Sequence, residues 1–260
     1  MTSQTLRIGA FVAALLSTLI VAHAASRVVT LRNPALVADE IAAMPVIEAP
    51  ADDAERQINA AVGRFNFNAR KAAAQCKKDS RGRYHWSRSV NATMRGPGFL
   101  SFTITDDTYC GTAYPNMSAQ SIVYDLSTGK PVDWTKLLPP SLTGKVTLQT
   151  GMDGTKTVAL SSQRLYDLYL KLYRHEPKDP DETGDEKECR EAVMQEGASA
   201  PPAMSVWLDA KAGGLAIQFD LAHVVQACAD AVVIPVQTLK AEGAKAALTD
   251  ALEAARQASQ

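Results

Sequence analysis

The chain has 260 residues, with 27 basic and 28 acidic side chains and 46% hydrophobic residues. The apolar share and the net charge of -1 exclude an intrinsically disordered chain, and the 13 prolines and 15 glycines show no collagen-like period. A near-neutral balance also argues against a nucleic-acid partner, because such a protein needs a cationic surface that displaces counterions from phosphates.

The first 24 residues have the pattern of a signal peptide. Arg7 precedes an apolar run at 8–22, and the run ends in Ala-His-Ala, whose small first and third residues suit signal peptidase. A membrane anchor is the alternative, but about 20 apolar residues are needed to cross a bilayer and this run is shorter. We therefore predict cleavage near Ala24, a periplasmic or secreted location, and no stable membrane span after cleavage.

The chain has four cysteines, Cys76, Cys110, Cys189 and Cys228. An even number in an exported chain predicts disulfides, and their wide spacing does not resemble the close pairs of a zinc site. Three pairings are possible. We favour Cys76–Cys110 and Cys189–Cys228, because each would join neighbouring elements of one half of the chain.

Residues 25–50 contain three prolines and predict an extended lead-in, in which one strand is an option. Asp52 and Asp53 are candidate caps of a helix that runs to about Lys78. Its apolar stripe repeats at three- and four-residue steps: Ile58, Ala61, Val62, Phe65, Ala69, Ala72, Ala73 and Cys76.

Alternating apolar residues at 90–94 and 100–104 flank a Gly-Pro-Gly turn and predict a β-hairpin. A further strand is expected at 121–126, followed by a turn at 127–130. A short helical turn at 134–138 should end at the two prolines that follow it.

In the second half, Ser161 is the candidate cap of a second helix that ends at Pro177, followed by an exposed acidic loop and a short helix around Cys189. Pro235 would place the last strand at a sheet edge. The remaining predicted elements are strands at 204–208, 215–219 and 232–236 and a C-terminal helix at 240–257. Apolar and polar residues alternate in the predicted strands, and helices lie between the strands. This pattern predicts an α+β fold in which helices pack on an antiparallel sheet. We predict residues 51–260 to be one domain.

The usual catalytic motifs are absent from the sequence, so we predict no catalytic residues, no cofactor and no metal site. The mature chain has three histidines, His85, His175 and His223, without ligand spacing between them. His223 lies among apolar residues and is predicted to be a core histidine. A site assembled from distant residues stays open, and a pocket that brings His85 or His223 to a serine or carboxylate would favour it.

Two charge clusters have two interpretations each. Residues 64–88 carry eight basic side chains and could bind an anionic or glycan ligand, or could form solvated surface. The acidic stretch at 176–191 could attract a basic partner protein or could be a soluble loop.

The stretch from Tyr109 to Asn116 is the least ordinary segment, because glycine, aromatic and proline residues follow Cys110 in close succession. A disulfide at Cys110 would hold it rigid, and rigid loops are common binding sites. The candidate ligand-binding residues are Tyr109, Gly111, Tyr114, Pro115 and Asn116.

Several short motifs resemble a family of exported bacterial domains of unknown function. The family occurs in the extracellular part of the lysozyme-responsive anti-sigma factor RsiV and in the non-catalytic N-terminal region of the peptidoglycan deacetylase PdaC. The shared features are Ile58-Asn59, the loop at 111–116, Asp125-Leu126 with Thr128-Gly129-Lys130 and Leu137, and Gly214-Leu215 with Ile234-Pro235 and Leu239. The chain departs from the family loop at Thr112, which replaces a glycine, and at Tyr114, which replaces a histidine.

The resemblance implies an α+β domain outside the cytoplasm. In RsiV this domain binds lysozyme, and in PdaC the chemistry belongs to another domain. We therefore expect a non-enzymatic exported protein that binds a cell-wall glycan, such as peptidoglycan, or a lysozyme-like protein. A periplasmic hydrolase and a structural envelope protein are the alternatives, and the sequence does not predict the oligomeric state.

Overall fold

The computed structural model describes residues 27–111, 114–175 and 186–258. The predicted signal peptide at 1–24 and most of the acidic stretch lie outside these residues and stay predictions. The second helix was predicted to end at Pro177, but it ends earlier, at Leu172. Within the described residues, no helix is both long and apolar enough to span a membrane.

The described parts of the chain form strands, α-helices and two 3-10 helices. The strands are β1 (Leu31–Arg32), β2 (Val46–Ile47), β3 (His85–Arg95), β4 (Phe99–Tyr109), β5 (Asn116–Asp125), β6 (Lys145–Thr150), β7 (Lys156–Ser161), β8 (Met204–Asp209), β9 (Gly214–Gln218) and β10 (Val232–Pro235). The α-helices are α1 (Asp53–Asp79), α2 (Pro140–Thr143), α3 (Gln163–Leu172), α4 (Glu186–Glu196), α5 (Val236–Ala241) and α6 (Ala246–Ala258). The 3-10 helices are Trp134–Lys136 and His223–Cys228.

The strands pair antiparallel in every described sheet, which confirms the α+β class. The sheet orders are β1-β2, β3-β4-β5 and β10-β9-β8-β7-β6. Both predicted disulfide pairs are also confirmed, Cys76–Cys110 and Cys189–Cys228, each with 4.9 Å between its Cα atoms.

Helix α1 forms as its sequence predicts. The side chain of Asp52 caps it by accepting a hydrogen bond from the Glu55 amide at 2.8 Å. Lys77 and Lys78 in the last turn complement the negative end of the helix dipole. The buried stripe of α1 packs on one face of the three-stranded sheet, where the core contains Ile58, Val62, Phe65, Leu100, Phe102, Ile104, Ile122 and Tyr124.

The other face of the three-stranded sheet contacts β8 through buried serines. Ser121 Oγ donates to the Val206 carbonyl at 2.9 Å, and Ser101 Oγ accepts from the Leu208 amide at 3.1 Å. Each hydroxyl thereby satisfies a buried backbone group of the larger sheet. These hydrogen bonds fix the position of one sheet relative to the other, and thereby the position of the clefts between the sheets.

The larger sheet carries the main core, and here several predictions were wrong. Strands β6 and β7 were not predicted, although Val146 and Leu148 alternate with polar residues on β6. Both of these side chains are exposed, and Thr157 on β7 is buried. Helix α3 is capped by Ser162, not Ser161, since the Ser162 hydroxyl accepts from the Leu165 amide.

Three boundaries also differ from the prediction. The lead-in contains two short strands, β1 and β2. Pro140 begins α2 rather than only ending the preceding turn, because proline is tolerated in the first helical turn. The C-terminal helix is divided into α5 and α6 around Gly243, whose φ is +90°. Strand β10 is an edge strand, as Pro235 predicted.

Candidate functional site

The predicted binding loop lies at the end of the β4–β5 hairpin. The Cys76–Cys110 disulfide joins its first residues to the C-terminal turn of α1. Gly111 has a φ of +82°, and a Cβ atom there would lie 2.9 Å from the Cα of Ser80, so the backbone approach requires glycine. Thr112 and Ala113 are outside the described residues.

The structure separates the five candidate residues into two groups. Tyr114 is 68% exposed, and Pro115 lines an adjacent cleft. Tyr109 pairs with His85 at the sheet end, and the side-chain amide of Asn116 donates to Met152 Sδ at 3.2 Å. Tyr109, Gly111 and Asn116 therefore make contacts with neighbouring elements, whereas Tyr114 and Pro115 are exposed beside the cleft.

The 3-10 helix at 223–228 forms the opposite wall of the cleft. Its last residue, Cys228, is bonded to Cys189 of α4. The His223 ring lies against the Tyr114 ring, with 5.6 Å between the centroids and 33° between the planes. Gln226 Nε2 donates a hydrogen bond to the carbonyl oxygen of Met117, and this bond joins the two walls of the cleft.

The prediction that His223 is a core histidine was wrong. His223 is exposed, as is its neighbour Val224 at 89%. The apolar run around His223 forms a short surface helix, so most of its side chains cannot reach the core. The buried histidine is His175, whose Nδ1 lies 2.6 Å from Asp230 Oδ2.

The cleft between the two walls has a volume of about 580 Å³. Its lining combines apolar side chains with carboxylates, amides and two hydroxyls, which is the mixture typical of small-ligand sites. The lining residues are Thr105, Asp107, Pro115, Met117, Ser118, Ala119, Gln218, Asp220, His223, Gln226, Ala227, Ala229 and Ala231. We call this the loop cleft.

Two carboxylates give the loop cleft an acidic side. Asp220 is an exposed residue, but its carboxylate is partly desolvated, and this raises its pKa above the usual value. A hydrogen bond of 3.5 Å from the Ala119 amide lowers the pKa, but by less than desolvation raises it. Asp107 faces the His85 ring, with 3.6 Å between Oδ2 and Nε2. The cleft can therefore accept hydrogen bonds from a ligand, and Asp220 retains its proton to a higher pH than an ordinary aspartate.

The predicted basic cluster at 64–88 is not one continuous surface. Arg88 is buried and donates to both carboxylate oxygens of Asp106, at 2.7 and 2.8 Å, and to Asp153 at 2.9 Å. Trp86 is also buried and donates to Asp106. Burial alone would lower the pKa of Arg88, but its bonds to Asp106 and the two negative charges outweigh this and raise it.

Within the described residues, no three histidine, cysteine, aspartate or glutamate side chains are placed to hold a metal ion. The sequence signals missed Asp107, Gln218, Asp220 and Gln226, because they are dispersed along the chain and belong to no motif.

No protein-family model matches the chain, and no curated protein matches it. Among solved structures, it is similar to a crystal structure of a DUF3298 family member from Bacteroides fragilis NCTC 9343. The two share 13% sequence identity with a TM-score of 0.43, and the match covers 80% of this chain and 74% of that chain. The resemblance to the RsiV and PdaC domains stays a prediction.

Proposed function

We propose that the protein is an exported, non-enzymatic binding protein whose ligand is a cell-wall glycan bound in the loop cleft. The observation that carries this proposal is the cleft itself, in which the lining residue His223 lies beside hydrogen-bonding side chains and contacts the exposed Tyr114 ring at the edge. The signal-peptide pattern and the two disulfides support export, since disulfides persist in oxidising compartments.

The chemistry of the loop cleft fits a sugar. A pyranose ring has an apolar C–H face that packs on an aromatic ring, and Tyr114 and His223 offer such a surface. Its hydroxyl groups need acceptors and donors, which Asp107, Asp220 and Gln218 supply. The volume of about 580 Å³ lies in the range of small-ligand sites, roughly 300–1,000 Å³.

The two walls are fixed before a ligand arrives. One disulfide anchors the 109–116 loop to α1, and the other anchors the 3-10 helix at 223–228 to α4. A rigid site loses less conformational entropy on binding, so more of the contact energy contributes to affinity. The disulfides thus support the binding function as well as the fold.

Replacing Tyr114 with alanine is expected to weaken retention on purified peptidoglycan by roughly tenfold, because the loss of a stacking surface worth about 1.4 kcal/mol corresponds to that factor. The measurement is sedimentation of the oxidised protein with insoluble peptidoglycan. Phe67→Ala is the matched control, since Phe67 is an aromatic of similar exposure, 63%, outside the loop cleft. Equal retention of both variants would contradict the proposal, and so would wild-type binding to lysozyme without binding to peptidoglycan.

A specific observation favours hydrolysis as the second candidate function. The loop cleft brings His223 together with Ser118 and two carboxylates, and Asp220 has the raised pKa of a general acid. Glycosidases use a pair of carboxylates in this way, one as acid and one as base or nucleophile.

Release of reducing ends from peptidoglycan separates the two functions. We expect the wild-type protein to release none above a heat-denatured control, because in the proposed function it binds without chemical change. If release occurs and Asp220→Asn abolishes it while retention on peptidoglycan persists, the protein is a hydrolase and the non-enzymatic proposal is wrong.

A further inference from the structure

A second cleft, of about 460 Å³, lies between α1, β5, the turn that follows β5 and the start of β7. Three cationic side chains line it, one from each of three segments: Arg64 of α1, Lys130 of the turn and Lys156 of β7. Among the described residues, no acidic side chain lines it. We call it the cationic cleft.

The three cations have no ion-pair partner within the described residues. Like charges that converge on one concave surface repel one another, so their proximity is unfavourable until an anion enters. Two other arginines of this region do have carboxylate partners: Arg56 of α1 pairs with Asp53, and Arg88 of β3 pairs with Asp106.

Tyr124 of β5 provides a second and independent sign of a ligand. The residue lines the cationic cleft and is fully buried, yet its hydroxyl has no hydrogen-bond partner in the described part of the chain. Burial raises the pKa of Tyr124, with the positive charge of Arg64 as a weaker opposing effect, so the hydroxyl stays protonated and can donate. A buried polar group without a partner is unusual and calls for an explanation such as an absent ligand.

The turn that carries Lys130 is fixed against α1. Gly129 has a φ of +71°, and a Cβ atom there would lie 2.4 Å from the carbonyl oxygen of Ala54. Asp125 closes the turn with two hydrogen bonds. Its side chain accepts one from the Ser127 amide at 2.7 Å, and its backbone carbonyl accepts one from the Gly129 amide at 2.8 Å. Lys130 is therefore presented from a rigid support and not from a free loop.

We propose that the cationic cleft binds a phosphate group, with Arg64, Lys130 and Lys156 as its charge partners and the Tyr124 hydroxyl as a hydrogen-bond donor. A phosphate monoester carries a charge of about -1.5 to -2 at neutral pH, which matches three cations better than a single carboxylate does. Guanidinium groups bind phosphate oxygens in bidentate geometry, and ammonium groups add point charges. Phe65 and Pro131 line the same cleft and offer apolar contact to an organic part of the ligand.

Isothermal titration of the oxidised protein tests this proposal with four probes: inorganic phosphate, glycerol 3-phosphate, acetate and glycerol. We expect saturable binding of the phosphates that weakens with salt, and at least tenfold weaker binding of acetate and glycerol. Equal affinity for the two phosphates identifies the phosphate group alone as the ligand, and tighter binding of glycerol 3-phosphate identifies an organic ester. Absence of saturable phosphate binding overturns the proposal.

Three variants locate the binding. Arg64→Ala is expected to weaken phosphate binding at least tenfold, and Lys71→Ala should leave it unchanged, because Lys71 is an exposed cation of the same helix outside the cleft. Tyr124→Phe should weaken binding several-fold without lowering the melting temperature, because it removes only a hydroxyl that has no partner. Equal losses in Arg64→Ala and Lys71→Ala would show general electrostatic attraction and overturn the site. The test is independent of the loop cleft, whose lining shares no residue with this one.

Discussion

Replacement of Arg88 by methionine is expected to lower the free energy of unfolding by about 3–5 kcal/mol, the range for removal of one partner of a buried ion pair. Arg88 and the carboxylates of Asp106 and Asp153 are almost completely shielded from water. Methionine fills much of the space but leaves both carboxylates buried without a cation. Chemical denaturation of the two proteins measures the difference.

Arg95→Met is the matched control for this prediction. Arg95 lies on the same strand, β3, but is exposed, so its replacement should change the free energy of unfolding by no more than about 0.5 kcal/mol. Equal destabilisation by the two variants would show that the Arg88 side chain does not hold the three-stranded sheet and the 151–155 turn together. The side chain connects these segments through Asp106 of β4 and Asp153 of the turn.

Removal of either disulfide by paired alanine substitutions is expected to cost about 4 kcal/mol in the chain-entropy model. The loops that they close are nearly equal, with sequence separations of 34 and 39, so the effects on the unfolded chain are nearly equal as well. The native-state effects differ, because Cys189 and Cys228 are both buried in the main core and Cys110 is partly exposed. We therefore expect the larger loss for the Cys189–Cys228 pair.

Thermal unfolding of the two double variants, with and without a reducing agent, tests the disulfide prediction. Each pair serves as the control for the other. The reduced wild-type protein should melt at a lower temperature than either oxidised double variant, because reduction removes both disulfides and each variant lacks only one. An unchanged melting temperature in one double variant would show that its disulfide does not form.

The sequence predicted the secondary structure correctly where the apolar residues of one element repeat with a clear helical or strand period. Helix α1 combines a cap, a charged first turn and an apolar stripe, and the β3–β4 hairpin alternates around a turn, so local patterns and tertiary packing agree. Strands β6 and β7 lack this agreement. On β6 the apolar side chains of Val146 and Leu148 are exposed, and on β7 the polar side chain of Thr157 is buried.

The candidate site could be predicted only in part. The 109–116 loop was found because its residue types are unusual, and Tyr114 and Pro115 do border the loop cleft. The opposite wall comes from residues 218–231, more than a hundred positions away, and no local pattern connects the two. His223 shows the difficulty, because its apolar neighbours resemble a core segment although the short helix exposes them.

The most direct test of the central claim, that the loop cleft binds a cell-wall glycan, is residue-resolved NMR titration with soluble disaccharide–peptide fragments of peptidoglycan. The account predicts saturable shifts of backbone amides on both walls, at 105–111, 114–119 and 218–231. In Tyr114→Ala the same shifts should need a roughly tenfold higher ligand concentration. Absence of saturable shifts, or shifts confined to residues outside both walls, would contradict it.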